Sequence, residues 1–119
     1  MIDKRNFYIN GSWVAPINGT DFPVLNPATE EPYAVISLGG KDDTEAAIKA
    51  ARATFPSWSM TTPQERAEYL KALLASYEAR SDEMATSIST EMGAPIDMSM
   101  TDQTGAGKSH LKAFLRALD

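Results

Sequence analysis

The sequence predicts an α+β fold, mostly helical with a short β-hairpin at its start. Three observations carry that expectation. Turn signals and short aromatic or β-branched runs are confined to the first forty residues, whereas from Asp42 onward apolar residues recur every three or four positions. The length of 119 residues, with 43% hydrophobic and 23% charged residues, is that of about one globular domain able to bury roughly two thirds of its unfolded surface. The expected organisation is a β-hairpin and strand segment over 1–40 and a helical layer over 41–119.

The hairpin is the clearest early element. Phe7-Tyr8-Ile9 and Ser12-Trp13-Val14 flank Asn10-Gly11, a pair suited to a two-residue turn in which both positions need φ > 0. Asn18-Gly19 marks a second turn. Phe22 to Leu25 can be extended, with Pro23 restricting it to an edge or a strand start. Asn26-Pro27-Ala28-Thr29 reads as a turn, and Tyr33 to Leu38 as a strand closed by Gly39-Gly40.

In the first helix Asp42 can cap the amino terminus while Glu45 reaches back, and Thr44, Ala47, Ile48, Ala51 and Phe55 share a face. Phe55 precedes Pro56 and is disfavoured in the α region, so this helix should stop there. The next start is Thr62-Pro63-Gln64-Glu65, with a capping hydroxyl, proline at the first helical position and glutamate at the third. Its apolar face is Ala67, Leu70, Leu73, Leu74 and Tyr77. A bend is expected at Ser81-Asp82, then a third helical segment carrying Met84, Ala85, Ile88 and Met92, stopped by Gly93 and Pro95. Beyond Pro95 the series Met100, Thr104, Gly107, Leu111, Phe114, Leu118 is helical. That apolar face is still in progress at the last residues, as in an interrupted chain.

Composition removes several function classes. Sixteen acidic against eleven basic residues leave a net charge of −5, which argues against nucleic-acid and anionic-membrane partners. No apolar run approaches the ~20 residues of a membrane span. Polar and aromatic residues follow Met1 to Arg5 where a secretory leader would be apolar, so a cytoplasmic location is expected. There is no cysteine, and with it no disulfide, zinc thiolate or cysteine nucleophile within these residues.

Gly107-Lys108-Ser109 has the ending of a phosphate-cradling P-loop, G-x-x-x-x-G-K-[ST]. Asp102 stands where the first glycine belongs; its carboxylate would repel phosphate and its Cβ stiffens the turn. The helical phase also starts before the glycines, so the stretch reads as a helix whose small residues admit a close neighbour, with local distortion from two poor helix formers. His110 is the sole histidine, and nothing in the spacing fixes a Ser-His-Asp geometry around it. Asp42-Asp43 and Asp82-Glu83 sit at helix starts, where capping and the macrodipole explain them. Met84, Met92, Met98 and Met100 are expected to fill core gaps.

Three stretches, "FYINGSWV" (Phe7 to Val14), "FPVLNPATEEPYAVI" (Phe22 to Ile36) and "DDTEAAIKAARATFPSWS" (Asp42 to Ser59), resemble the amino-terminal end of the NAD(P)-dependent aldehyde dehydrogenase superfamily. "TPQERAEYLKALLASYEARSDEMATSISTEMGAP" (Thr62 to Pro95) is similar to the long helical pair and Glu-x-Gly-x-Pro region that follow. The resemblance covers essentially the whole chain. It implies part of the α/β cofactor-binding domain of a much longer enzyme that oxidises an aldehyde to a carboxylic acid with NAD or NADP. In that family a cysteine thiolate attacks the aldehyde, hydride passes to the nicotinamide, and a glutamate activates water to hydrolyse the thioester.

The family's nucleophile, base and dinucleotide-binding sheet lie beyond the matching region. The resemblance therefore implies no catalytic and no cofactor-binding residue in this chain, no cofactor bound to it alone, and self-association through apolar helix faces shaped for an absent sheet. It also implies that backbone carbonyls at Leu25 and Glu91 help hold a structural monovalent cation. The two rival readings are a free-standing helical interaction module and a P-loop nucleotide binder.

Overall fold

Five strands precede five helices in a computed structural model that describes residues 1–118; Asp119, the end of the expected helical layer, lies outside the described residues. The chain forms two compact units, one spanning Met1–Met60 and one from Thr61 onward.

In the first unit β2 (Phe7–Ile9) and β3 (Ser12–Val14) form the expected antiparallel hairpin. Asn10 and Gly11 have φ of 53° and 79°, the two positive values that match a turn to the twist of its strands. Tyr8 and Trp13 face each other across the pair, ring centroids 5.2 Å apart.

A separate sheet has the order β1-β5-β4, with β1 (Ile2–Lys4) parallel and β4 (Thr20–Asn26) antiparallel to the central β5 (Glu31–Leu38). Pro23 sits in the edge strand β4, where its missing N–H costs no ladder bond on the outer side. The β4–β5 turn is tied by Asn26, whose side chain accepts from the Ala28 N–H at 2.9 Å and whose carbonyl accepts from the Glu30 N–H at 2.8 Å. Strand β1 carries no turn signal, and its pairing with residues 34–36 is invisible to local pattern.

Helix α1 (Lys41–Ser59) departs from expectation at both ends. Its N-cap is Gly40, and the carboxylate that reaches back to the Gly40 N–H, at 3.0 Å, belongs to Asp43 rather than to Glu45. The helix also continues through Pro56 to Ser59. A proline this near the end removes one backbone bond, while the hydroxyls of Ser57 and Ser59 donate to the carbonyls of Thr54 and Pro56, both at 3.0 Å, and so support the last turn. The expected apolar face is largely open: Ile48 and Phe55 are 59% and 60% exposed.

The second unit begins with α2 (Pro63–Ala79), capped as read. The Glu65 N–H donates to the Thr62 hydroxyl at 3.2 Å and the Thr62 N–H donates to the Glu65 carboxylate at 2.7 Å, a reciprocal box that satisfies donors at the helix start. The Thr62 N–H and then the Thr62 hydroxyl, both donating to the carboxylate, hold the Glu65 carboxyl below its usual range. Arg80, at φ −116° and ψ 18°, breaks the helix before α3 (Ser81–Met92), which ends at Gly93 in the left-handed region, φ 72°.

After Pro95 come α4 (Ile96–Met98), a π-turn (Ser99–Gln103) and α5 (Thr104–Leu118). The distortion foreseen at the glycines falls just before them. Ser99 and Thr104 are buried, whereas Met100 and Phe114 are exposed; Leu115 takes the half-buried place expected for Phe114. The four methionines expected in the core are 42% to 65% exposed. Among the described residues the buried apolar set is Ala34 and Ala85.

Candidate functional site

Gly107-Lys108-Ser109 lies within α5, preceded by α4 and the π-turn rather than by a strand. Gly107 meets Tyr77 of α2: a Cβ there would lie 2.5 Å from the phenolic oxygen. The Tyr77 hydroxyl donates to the Thr104 carbonyl at 3.0 Å. Lys108 and Lys112, one turn apart, each place Nζ 3.3 Å from Glu78 Oε1. Hydrogen bonds from Lys112 and Lys108 hold the Glu78 carboxyl below its usual range. The lysine of the motif thus serves helix pairing, and the glycine provides room for a phenol ring. Tyr77 was legible only as one member of an apolar stripe.

In the first unit a cavity of about 810 Å³ is lined by Asp3, Arg5, Trp13, Asp21 and Ser37 among others. Its charges neutralise one another. Arg5 donates to Asp3 from Nε at 3.0 Å and from Nη2 at 2.7 Å, and to Asp21 from Nη1 at 3.1 Å. The guanidinium staples the segment after β1 to β4, two strands away.

The Arg5 side-chain bonds, then the bond from the Arg5 N–H, bring the Asp3 carboxyl from 3.8 down to about 2. A depressed folded value contributes stability above the unfolded value, and that contribution fades as the pH falls from 3.8 toward about 2. An NMR titration of the Asp3 carboxyl should have its midpoint near 2, and Arg5→Gln should return it upward. An ordinary midpoint in the parent chain would contradict the staple.

A second groove, about 440 Å³, lies between the hairpin and α1, lined by Tyr8, Ile9, Ala47, Ala51, Phe55 and Trp58 among others. It carries no charged lining residue, so what it offers is largely apolar contact.

The other candidates are dispersed. Asp42 is exposed, with Asn18 Nδ2 at 3.4 Å. Asp43 is 6% exposed and accepts from the Ile17 N–H at 2.8 Å as well as from Gly40. Asp82 and Glu83 occupy the first turn of α3, and Glu83 pairs with Arg80 at 2.8 Å. His110 is exposed on α5. Leu25 lies in β4 beside a register shift, and Glu91 is the next-to-last residue of α3; the two belong to different units. Among the described residues no three His, Asp or Glu side chains are grouped to hold a metal ion, and no helix is long and apolar enough to cross a membrane.

Comparison with known proteins gives this scaffold its context. The aldehyde dehydrogenase family model matches residues 13–119. A 3-succinoylsemialdehyde-pyridine dehydrogenase from Pseudomonas is 40% identical over 92% of this chain and 23% of its own length. The crystal structure of an aldehyde dehydrogenase from Bartonella henselae superposes with a TM-score of 0.97 at 48% identity, over 99% of this chain and 25% of that one. Aldehyde dehydrogenase C from Pseudomonas syringae, solved as a mutant with NAD+ and octanal, gives 0.93 at 37% identity, over 96% and 24%. The chain spans about a quarter of the length of these relatives and matches their amino-terminal part. It is a member of the aldehyde dehydrogenase family.

Proposed function

We propose that these residues act as the amino-terminal scaffold of an NAD(P)-dependent aldehyde dehydrogenase, a cytoplasmic enzyme that oxidises an aldehyde to a carboxylic acid, and that they contribute no catalytic group. One observation carries the reading: a chain without cysteine superposes over 99% of its length on only 25% of an aldehyde dehydrogenase. The thiolate nucleophile, the glutamate base and the dinucleotide site then belong to the remaining three quarters. Relatives solved with NAD+ support a nicotinamide cofactor there.

Residues 41–119 would be the helical layer of the cofactor-binding domain, and residues 1–40 the strands that lead into it. The backbone carbonyls of Leu25 and Glu91, neutral oxygen donors of the kind that suit monovalent cations, would be two ligands of a structural cation completed from elsewhere in the protein. Reading the coding sequence past the Asp119 codon tests the proposal. A dinucleotide-binding sheet followed by a cysteine nucleophile is expected. A stop codon at that point would favour a free-standing helical interaction module instead.

A further inference from the structure

Ser99 and Thr104 are five residues apart, yet they are 0% and 3% exposed. In an α-helix that spacing separates two side chains by about 140°. Here both the N–H and the hydroxyl of Thr104 donate to the Ser99 carbonyl, the hydroxyl at 2.7 Å, and the turn between them holds one residue more than an α-turn.

The extra residue rotates everything after it. In an uninterrupted α-helix from Ile96, each position of α5 would be occupied by the residue one earlier. The place of Gly107 would go to Ala106, whose methyl would fall about where a Cβ on Gly107 meets the Tyr77 hydroxyl at 2.5 Å and Cζ at 2.9 Å. Glu78 would face Gly107 and Leu111 instead of Lys108 and Lys112. Packing against the phenol and charge against Glu78 therefore select the same register.

We infer that the π-turn at Ser99–Gln103 is a register-setting device: its one additional residue turns α5 so that glycine, and no residue with a side chain, meets Tyr77. The glycine and the π-turn are then a single feature, since neither serves this packing without the other. This inference concerns the chain's own helix register and stands whatever the reaction of the full-length protein.

Three variants of the intact chain test it, read by Tm and by NMR titration of the Glu78 carboxyl. Deleting Met100, an exposed residue of the turn, removes the additional residue while leaving Thr104 to Leu118 in place. It should keep Tm within a few degrees of the parent and keep Glu78 titrating below its usual range. Gly107→Ala should lower Tm by about 5 °C or more and move the Glu78 titration upward as α5 is displaced. Adding Tyr77→Leu to Gly107→Ala should recover part of the lost Tm. A deletion more damaging than Gly107→Ala, or a Gly107→Ala chain indistinguishable from the parent in both readouts, overturns the inference.

Discussion

Replacing Asp43 with alanine is expected to destabilise the first unit by about 2–3 kcal/mol. Both carboxylate oxygens are committed: Oδ1 accepts from the Ile17 N–H at 2.8 Å and Oδ2 from the Gly40 N–H at 3.0 Å. The side chain closes the amino terminus of α1, where its charge also suits the helix dipole, and it anchors the loop that follows β3. Alanine would leave two N–H donors without these acceptors in a place where Asp43 is only 6% exposed, and desolvated donors are costly when unpaired. Asp42→Ala, one residue earlier and exposed, should change stability by less than about 0.5 kcal/mol. Urea unfolding of the two variants separates the roles; equal losses would show that Asp43 has no special one.

Self-association is the second large effect expected. The chain exposes 8736 Å². Two compact bodies of half its mass, with no contact between them, would together expose only roughly 7,600 Å². The excess of about 1,100 Å² is comparable with the roughly 800 Å² per partner that a stable interface buries. Leu73, Phe55 and Phe114 are 52%, 60% and 62% exposed, and apolar surface on this scale seeks cover. Light scattering after size exclusion should give a mass at least twice 12.9 kDa at tens of micromolar protein, falling in mild denaturant. A compact monomer at that concentration would contradict the expectation.

What the sequence disclosed were the features whose cause is local. Asn10-Gly11, Thr62-Pro63-Gln64-Glu65 and Gly93 each specify a backbone conformation through their own chemistry, and the structure has a turn, a capped helix start and a helix end at those places. Features caused at a distance were hidden. Strand β1 is three residues long and finds its partner thirty-two residues later, Ile2 opposite Ala34. The role of Asp43 beside Asp42 is not legible locally, because the loop that donates from Ile17 has no signature in the helix sequence.

The slip from Ser99 to Met100 has a geometric origin: a constant helical period across residues 99–103 places Met100 on the face of Thr104, and the π-turn breaks that period by one residue. Leu115 and Phe114 lie four and three residues after Leu111, and periodicity alone does not choose between them. Softness and size suit the methionines to a core, yet little core exists for them within these residues. Of the candidate site, the false P-loop could be read at Asp102. The positive role of Gly107 needed the position of Tyr77.

On the proposed function this chain is scaffold and the chemistry lies elsewhere in the enzyme. Absorbance at 340 nm tests it most directly, with rigorously purified chain, NAD+ or NADP+, and a panel of aliphatic, aromatic and semialdehyde substrates. No NADH or NADPH production above the protein-free blank is expected for any pair. Aldehyde-dependent reduced cofactor that scales with chain concentration and survives repurification would contradict it.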